Sequence, residues 1–281
     1  ESKMPRIFDY TGQDVERLQT VESIIASKGD DSRLAQVTAG TPEEASAAEA
    51  AGIDMVVCLA DRVPAVRQGS TKLFVTAAID FSGAVTEDDL LDDAFSALSG
   101  GADAVITARG LDSVRRLTHE DIPVMGHLGF VPKKSTLYGG VRAVGKTADE
   151  AMKLRDQFRQ LEDAGAFAVE CELIPEQVLS EIAERTGLIT ISLGSGRIAD
   201  VIFLFTSDIC GESPRMPRHG RSYGDLARLH AQINHERVEA LKAFRTDVVE
   251  CRYPDDTEIA TIDVSELAEF VGRLKNENGG A

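Results

Sequence analysis

The chain has 281 residues, of which 43% are hydrophobic, and it carries a formal net charge of −17. This length can bury one large core, and the acidic balance excludes nucleic acid and anionic membrane surfaces as expected partners. No apolar run of about 18 residues or more predicts a membrane span, and the first five residues contain no apolar signal core. The four cysteines lie far apart, which indicates reduced thiols in the cytoplasm.

Short apolar segments alternate with helical patterns along most of the chain. The first predicted helix covers residues 14–26, with Val15, Leu18 and Val21 on one stripe. Eight short strands are then predicted at 34–39, 54–59, 72–78, 104–107, 122–125, 167–172, 188–193 and 201–205. Helices are predicted between most of them at 41–52, 86–100, 111–117, 147–164 and 175–186, and after them at 222–244 and 264–274.

The pattern of these strands predicts the fold class. They are continuous apolar runs, as in a parallel sheet that is covered on both faces. Eight strand–helix units predict a closed (β/α)8 (TIM) barrel in a single domain over residues 1–281, with the strands in 34–210. Residues 211–281 are expected to form C-terminal helices that pack outside the barrel or at a subunit interface. The alternative is an open doubly wound sheet, but a G-x-G-x-x-G turn does not follow the first strand.

One short stretch combines a strand, a histidine and a glycine-framed loop. The strand at 122–125 leads to His127, and Gly129 and Pro132 shape the loop that follows. A titratable residue at a strand tip suits an active site, although backbone partners alone can also satisfy such a histidine. Glu170 and Glu172 share one face of their strand, so both are expected to point the same way at different depths.

The predicted strand ends carry further polar side chains. In a barrel of this class, the chemistry gathers at the C-terminal ends of the strands. Like-charged carboxylates that share one site beside fixed cations raise the pKa of one of their number, so a general base near neutral pH is expected there. Other roles are open: an aspartate can cap a helix, an arginine can pair with surface acids, and the glycines can form a tight turn. The residues at these ends are Asp61, Arg62, Asp80, Arg109, His127, Glu170, Glu172 and Gly194-Ser195-Gly196.

Three blocks of sequence resemble one enzyme family. Pro123-Val-Met-Gly-His-Leu-Gly-Phe-Val-Pro132, followed by Gly139-Gly-Val-Arg-Ala-Val-Gly145, is similar to the central motif of ketopantoate (3-methyl-2-oxobutanoate) hydroxymethyltransferase. Residues 161–175 and 191–196 resemble its next two blocks. The similarity is specific from 123 to 196, fainter from 34 to 110 and weak after 211.

The resemblance implies a fold and an activity. The family is a (β/α)8 barrel of the phosphoenolpyruvate mutase and isocitrate lyase superfamily, a decamer that binds Mg2+ and a 2-oxo acid. It transfers a hydroxymethyl group from methylenetetrahydrofolate to the enolate of 3-methyl-2-oxobutanoate, toward pantothenate. We therefore expect a homo-oligomeric enzyme with these ligands.

The resemblance also implies roles for individual residues. Glu172 falls at the base that removes the proton next to the ketone, His127 at a substrate-binding histidine, and Asp61 at a metal-binding aspartate. Asp61 alone offers too few oxygen atoms for Mg2+, so we expect Asp80, just beyond the third strand, to be a second ligand, with help from Glu172. Ser195 lies in a glycine turn that is expected to contact substrate.

Several positions depart from the family pattern. Arg62 stands where the family has a serine, and Ala78 where it has a second metal-binding aspartate. Its lysine and metal-binding glutamate fall on Ile106 and Ala108. We hypothesise that Arg62 or Arg109 replaces part of the lost positive charge and binds the carboxylate of the oxo acid, with Asp61 nearby. The alternatives are a different lyase, decarboxylase or hydrolase of the same superfamily, or a metabolite-binding relative without turnover.

Overall fold

The computed structural model describes residues 6–79, 83 and 85–277. Contacts divide the chain into two units, Glu1–Gly224 and Asp225–Ala281. In the first unit, eight parallel strands close into a barrel in which each strand pairs with its sequence neighbours and the last pairs with the first. The predicted (β/α)8 barrel is therefore confirmed, and the open doubly wound sheet is not adopted.

A small antiparallel pair precedes the barrel, β1 (Ile7–Phe8) and β2 (Asp14–Val15). The barrel strands are β3 (Leu34–Thr38), β4 (Met55–Leu59), β5 (Phe74–Ala78), β6 (Ala104–Ile106), β7 (Val124–Gly129), β8 (Ala168–Glu172), β9 (Ile189–Leu193) and β10 (Val201–Leu204). All eight predicted strands are present, and β7 continues through the histidine that the sequence places just beyond its end.

Helices connect the strands, and threonine hydroxyl groups begin three of the helices that lie between barrel strands. The hydroxyl groups of Thr41, Thr86 and Thr147 accept hydrogen bonds from backbone N–H groups three residues on, which fixes these starts. The helices of the first unit are α1 (Val21–Ala26), α2 (Pro42–Ala50), α3 (Val63–Gly69), α4 (Glu87–Ser99), α5 (Leu111–Thr118), α6 (Ser135–Tyr138), α7 (Ala148–Asp163), α8 (Glu176–Ala183) and α9 (Thr206–Ile209). The second unit contains α10 (Leu226–Val249) and α11 (Val264–Glu277).

Buried side chains form two layers, one on each side of the barrel wall. On β4, Val56 and Cys58 belong to a cluster that also contains helix residues such as Leu90. The alternate residues Met55 and Val57 belong to a second cluster, which is built mainly from strand residues. Because successive strand residues point to opposite faces, the second cluster fills the barrel interior.

Helix α1 closes one end of this interior. Ile24 is fully buried in the interior cluster, which also packs against Leu34 and Phe167 at the N-terminal ends of their strands. The closed end is therefore the one opposite to the C-terminal strand ends. The C-terminal strand ends, where chemistry is expected, lie at the other end of the barrel.

The predicted helix at 14–26 is wrong over its first half. Asp14 and Val15 form β2, and helix α1 begins only after Thr20, whose side chain caps it. The intervening segment is tied to distant parts of the chain: the Leu18 N–H donates to the Lys72 carbonyl at 2.8 Å, and Arg17 binds Asp103. These long-range bonds outweigh the local helical pattern.

Smaller differences concern other helices. Helices α3, α6 and α9 are not predicted from the sequence, and α10 covers Leu226–Val249 rather than residues 222–244. Within the described ranges, we find no helix that combines the length and the apolar content needed to cross a membrane. The four cysteines are free thiols.

Asp200 joins β10 to β9 and to the loop after α1. Its carboxylate accepts hydrogen bonds from Thr190 N at 2.8 Å and Gly29 N at 3.0 Å, and it lies 3.4 Å from Lys28 Nζ. Burial raises the pKa of Asp200, but the hydrogen bonds and the Lys28 charge outweigh burial and hold this pKa below its ordinary value. A depressed folded-state pKa gives stabilisation that is present above the unfolded-state pKa and is lost as the pH falls through the folded-state pKa.

We therefore expect Asp200→Asn to lower the free energy of unfolding by about 1–3 kcal/mol at pH 7, because it weakens several charged hydrogen bonds. The difference from wild type should shrink as the pH falls below about 4. Thermal melts followed by circular dichroism at several pH values measure this. Asp30→Asn is the matched control, because Asp30 is exposed. A difference in stability between Asp200→Asn and wild type that stays constant with pH would contradict the explanation.

Candidate active site

The C-terminal ends of β7 and β8 bring one imidazole and two carboxylates together inside the barrel. Met125 and Ala168 belong to the interior cluster, so residues two and four positions further along the same strands face inward as well. These residues are His127 on β7, and Glu170 and Glu172 on β8. The strand register pairs His127 with Glu170 and Gly129 with Glu172. The predicted common face of the two glutamates is present.

The three side chains lie close to one another and are nearly buried. His127 Nε2 is 3.1 Å from Glu172 Oε2 and 3.8 Å from Glu170 Oε1. One ligand atom of each residue lies within 4.8 Å of those of the other two, as in a metal-binding group. The side chains of His127, Glu170 and Glu172 are 10%, 8% and 12% exposed. We call these three residues the His–Glu–Glu cluster.

The environment shifts the pKa of two members of the cluster. Burial alone would lower the pKa of His127, but the hydrogen bond with Glu172 and the charges of Glu170 and Glu172 outweigh burial and raise this pKa. Burial raises the pKa of Glu170; the nearby His127 opposes this rise, and the charge of Glu172 adds to it. The cluster can therefore exchange protons closer to neutral pH than an exposed carboxyl group can.

A close approach of two backbones fixes the upper end of this cluster. Gly129 has φ +88°, and a Cβ atom there would lie 2.2 Å from the carbonyl oxygen of Glu172. The Phe130 N–H donates to the same carbonyl at 2.8 Å. Leu173 follows with φ +52°, a rare conformation for a branched side chain. The backbone around Glu172 is thus tightly specified, which holds its carboxylate against His127.

The other predicted site residues lie apart from the cluster. Ser195 is buried, and its hydroxyl group donates to the Cys171 carbonyl at 2.7 Å and accepts from Ile174 N at 2.8 Å. The Asp61 side chain is 71% exposed, and Asp61 Oδ2 lies 3.7 Å from the Nε of Arg62. No described contact joins Asp61, Arg62 or Ser195 to His127 or Glu172. Asp80 lies outside the described residues.

Arg109 follows β6. It lines a pocket of about 130 Å³ together with Leu161 of α7 and with His127 of the cluster. A Cβ atom on Gly126 would lie 2.4 Å from Leu161 Cδ2, so Gly126 itself faces α7. The Nε atom of Arg109 is buried without a hydrogen-bond partner among the described residues. A substrate-binding role for Arg109 stays a prediction.

Glu170 is the member of the cluster that the sequence does not assign to the site. The sequence does indicate that Glu170 faces the same way as Glu172, because the two residues are two positions apart on one strand. The position of Glu170 beside His127 depends on the pairing register of β7 and β8.

The Mg2+ site that the resemblance implies does not fit the described residues. Its aspartate and glutamate positions fall on Ala78 and Ala108, which offer no ligand atom, and the Asp61 carboxylate is exposed beside a guanidinium. A hard divalent cation needs several oxygen ligands. Of the described His, Cys, Asp and Glu side chains, only the His–Glu–Glu cluster groups three ligand atoms this closely.

A closed parallel barrel with titratable side chains inside its C-terminal end is the architecture of the (β/α)8 enzymes. The sequence model of the ketopantoate hydroxymethyltransferase family matches residues 58–256. A 3-methyl-2-oxobutanoate hydroxymethyltransferase of Kosmotoga olearia is 32% identical over 260 residues, covering 83% of this chain and 94% of the relative. The enzyme of the same name from Hyperthermus butylicus is 31% identical over 288 residues, covering 93% and 97%. The chain belongs to the ketopantoate hydroxymethyltransferase family.

A solved structure shares the fold at much lower identity. Oxaloacetate acetylhydrolase in complex with the inhibitor 3,3-difluorooxalacetate matches with a TM-score of 0.50 and 10% identity, covering 95% of this chain and 99% of that chain. At this identity the likeness concerns the barrel fold alone.

Proposed function

We propose that the protein forms the enolate of a 2-oxo acid and joins it to a one-carbon unit, as a 3-methyl-2-oxobutanoate hydroxymethyltransferase. Family membership supports the reaction class. The observation that carries the proposal is the 3.1 Å contact between His127 Nε2 and Glu172 Oε2 at the end of the barrel where substrates enter. A carboxylate held in this way suits proton abstraction from carbon.

Glu172 is the proposed general base. Its carboxylate accepts the proton from C3 of the oxo acid, and the electrons of the broken C–H bond form the C2=C3 double bond of the enolate. Water adds to the methylene carbon of methylenetetrahydrofolate and both C–N bonds of that carbon break, so tetrahydrofolate leaves and formaldehyde remains. C3 of the enolate then attacks the formaldehyde carbon, and the formaldehyde oxygen takes up a proton to become the hydroxyl group of the product. His127 orients the Glu172 carboxylate through their hydrogen bond.

Proton exchange tests the first step without any one-carbon donor. We expect the protein to exchange the C3 proton of 3-methyl-2-oxobutanoate for deuterium in D2O, seen by proton NMR as loss of the methine signal and collapse of the methyl doublet. Addition of methylenetetrahydrofolate should then give the hydroxymethylated acid. An exchange rate equal to that of the buffer would contradict the proposal.

A second reaction on another oxo acid is favoured by one observation. Ile106 and Ala108 are buried apolar side chains, where the resemblance implies a lysine and a metal-binding glutamate. This change alters the polarity of the β6 end, which suits a lyase, decarboxylase or hydrolase acting on a different oxo acid. The same NMR experiment with pyruvate and oxaloacetate separates the two reactions, because cleavage gives products without a one-carbon donor.

The location and the assembly belong to the same proposal. The four free cysteines support a cytoplasmic location, because thiols remain reduced there. A homo-oligomer, with residues 211–281 at a subunit interface or outside the barrel, is inferred from the resemblance.

A further inference from the structure

The carboxylate of Glu170 lacks the partners that a buried charge requires. Its side chain is 8% exposed, and its only described ion pair is with His127, at 3.8 Å. No hydrogen bond to this carboxylate is present among the described residues, and no lysine or arginine there pairs with Glu170 or Glu172. Burying a carboxylate is costly unless it is paired or coordinates a metal. The strand register nevertheless places Glu170 beside His127, facing the barrel interior.

We propose that His127, Glu170 and Glu172 bind a divalent transition-metal cation, at a site distinct from the Mg2+ site that the family resemblance implies. One nitrogen and two oxygen atoms lie within 4.8 Å of one another, a separation that a single cation can bridge with small side-chain adjustments. The cation compensates two buried carboxylates that pair with no lysine or arginine among the described residues. Charge and geometry therefore point to the same occupant.

The donor set selects the class of metal. Mg2+, Ca2+ and Mn2+ prefer oxygen ligands, whereas an imidazole nitrogen suits Zn2+, Fe2+, Ni2+ and Co2+. Three protein ligands leave coordination positions open, as catalytic metal sites do. The new site lies on β7 and β8, whereas Asp61 follows β4 on another part of the barrel.

The open positions suit a chelating ligand. A 2-oxo acid offers a carboxylate oxygen and a ketone oxygen that can bind one cation together; this part of the inference rests on the proposed function. When the cation is bound, it replaces the direct hydrogen bond between His127 Nε2 and Glu172 Oε2 and holds both side chains in place. Coordination through Glu172 Oε2 leaves Oε1 uncoordinated and available for the proposed proton transfer.

Cobalt binding tests the site directly. The full chain is stripped of metal with a chelator and titrated with Co2+, and binding is followed by calorimetry and by the visible absorption of the bound ion. We expect one Co2+ per chain with an absorption band that changes when 3-methyl-2-oxobutanoate is added, and much weaker binding of Mg2+. Tighter binding of Mg2+ than of Co2+ would overturn the proposed metal class.

Matched variants locate the cation. Glu170→Gln keeps the side-chain size but removes a charged ligand, so we expect at least about 100-fold weaker Co2+ binding. His127→Gln should also weaken Co2+ binding, because it removes the nitrogen ligand. Thermal melts confirm that each variant is folded. Asp61→Asn and the surface variant Glu181→Gln should bind Co2+ as wild type does. Loss of Co2+ binding in Asp61→Asn, with binding retained in Glu170→Gln, would overturn the site.

The two proposals can fail separately. Co2+ binding at the cluster without any proton exchange leaves the metal site supported and removes the proposed function. Proton exchange by metal-free protein that binds no Co2+ supports the proposed function and overturns the metal site.

Discussion

Glu172→Gln should lower the rate of proton exchange at C3 of 3-methyl-2-oxobutanoate by about 10²–10⁴-fold, the range of general-base catalysis. Glutamine keeps the shape of the side chain, and its amide oxygen can still accept a hydrogen bond from His127, which lies 3.1 Å away in the wild type. An amide does not accept a proton from carbon near neutral pH. The variant therefore removes the base and preserves the contact that orients it.

The measurement is the loss of the C3 proton signal in D2O at saturating oxo acid. A saturating concentration is needed because Glu172 is also a proposed metal ligand, and its loss can weaken binding of the oxo acid. At saturation, a lower rate reports slower proton transfer rather than weaker binding. Glu181→Gln is the control, because Glu181 lies on the exposed side of α8 and pairs with Arg185. Exchange by Glu172→Gln at the wild-type rate would assign the base to another residue.

The barrel could be predicted because its signals are local. Each strand is a short apolar run, and threonine caps mark the starts of α2, α4 and α7. In a sequential parallel barrel, strand order follows chain order, so counting eight units almost determines the topology. The helix predicted at 14–26 was wrong because its hydrogen-bond partners, Lys72 and Asp103, are far away in the sequence.

The site could be predicted only in part for a similar reason. The family resemblance predicts separate roles for His127 and Glu172, but neither their contact nor the approach of Glu170 is predicted, because both depend on the register of two strands. Strand-end position did not determine which way Arg109 and Asp61 point. Arg109 lines a pocket together with helix residues and His127, whereas Asp61 is exposed, because side-chain direction beyond a strand end depends on packing that the sequence pattern does not encode.

Asp103→Ala should be the most destabilising of the variants described here. Asp103 precedes β6 and accepts three hydrogen bonds, from Arg17 Nε at 2.7 Å, Arg67 Nη2 at 2.7 Å and Val75 N at 2.8 Å. It thus joins the N-terminal segment, α3 and β5. Removing this carboxylate leaves Arg17 buried and Arg67 partly buried beside one another without their shared counter-charge.

Breaking a buried ion pair from one side costs about 3–5 kcal/mol, which corresponds to a melting temperature lower by roughly 10 °C for a unit of this size. Asp112→Ala is the control, because Asp112 is exposed and its pair with Arg115 should contribute less than about 1 kcal/mol. Thermal melts compare the two variants. Equal melting temperatures would mean that Arg17 and Arg67 find other partners. Asp103 lies at the N-terminal ends of the strands, opposite to the His–Glu–Glu cluster. At temperatures where Asp103→Ala is still folded, we therefore expect it to exchange the C3 proton of the oxo acid at the wild-type rate. This result would show that one end of the barrel stabilises the fold and the other carries the reaction.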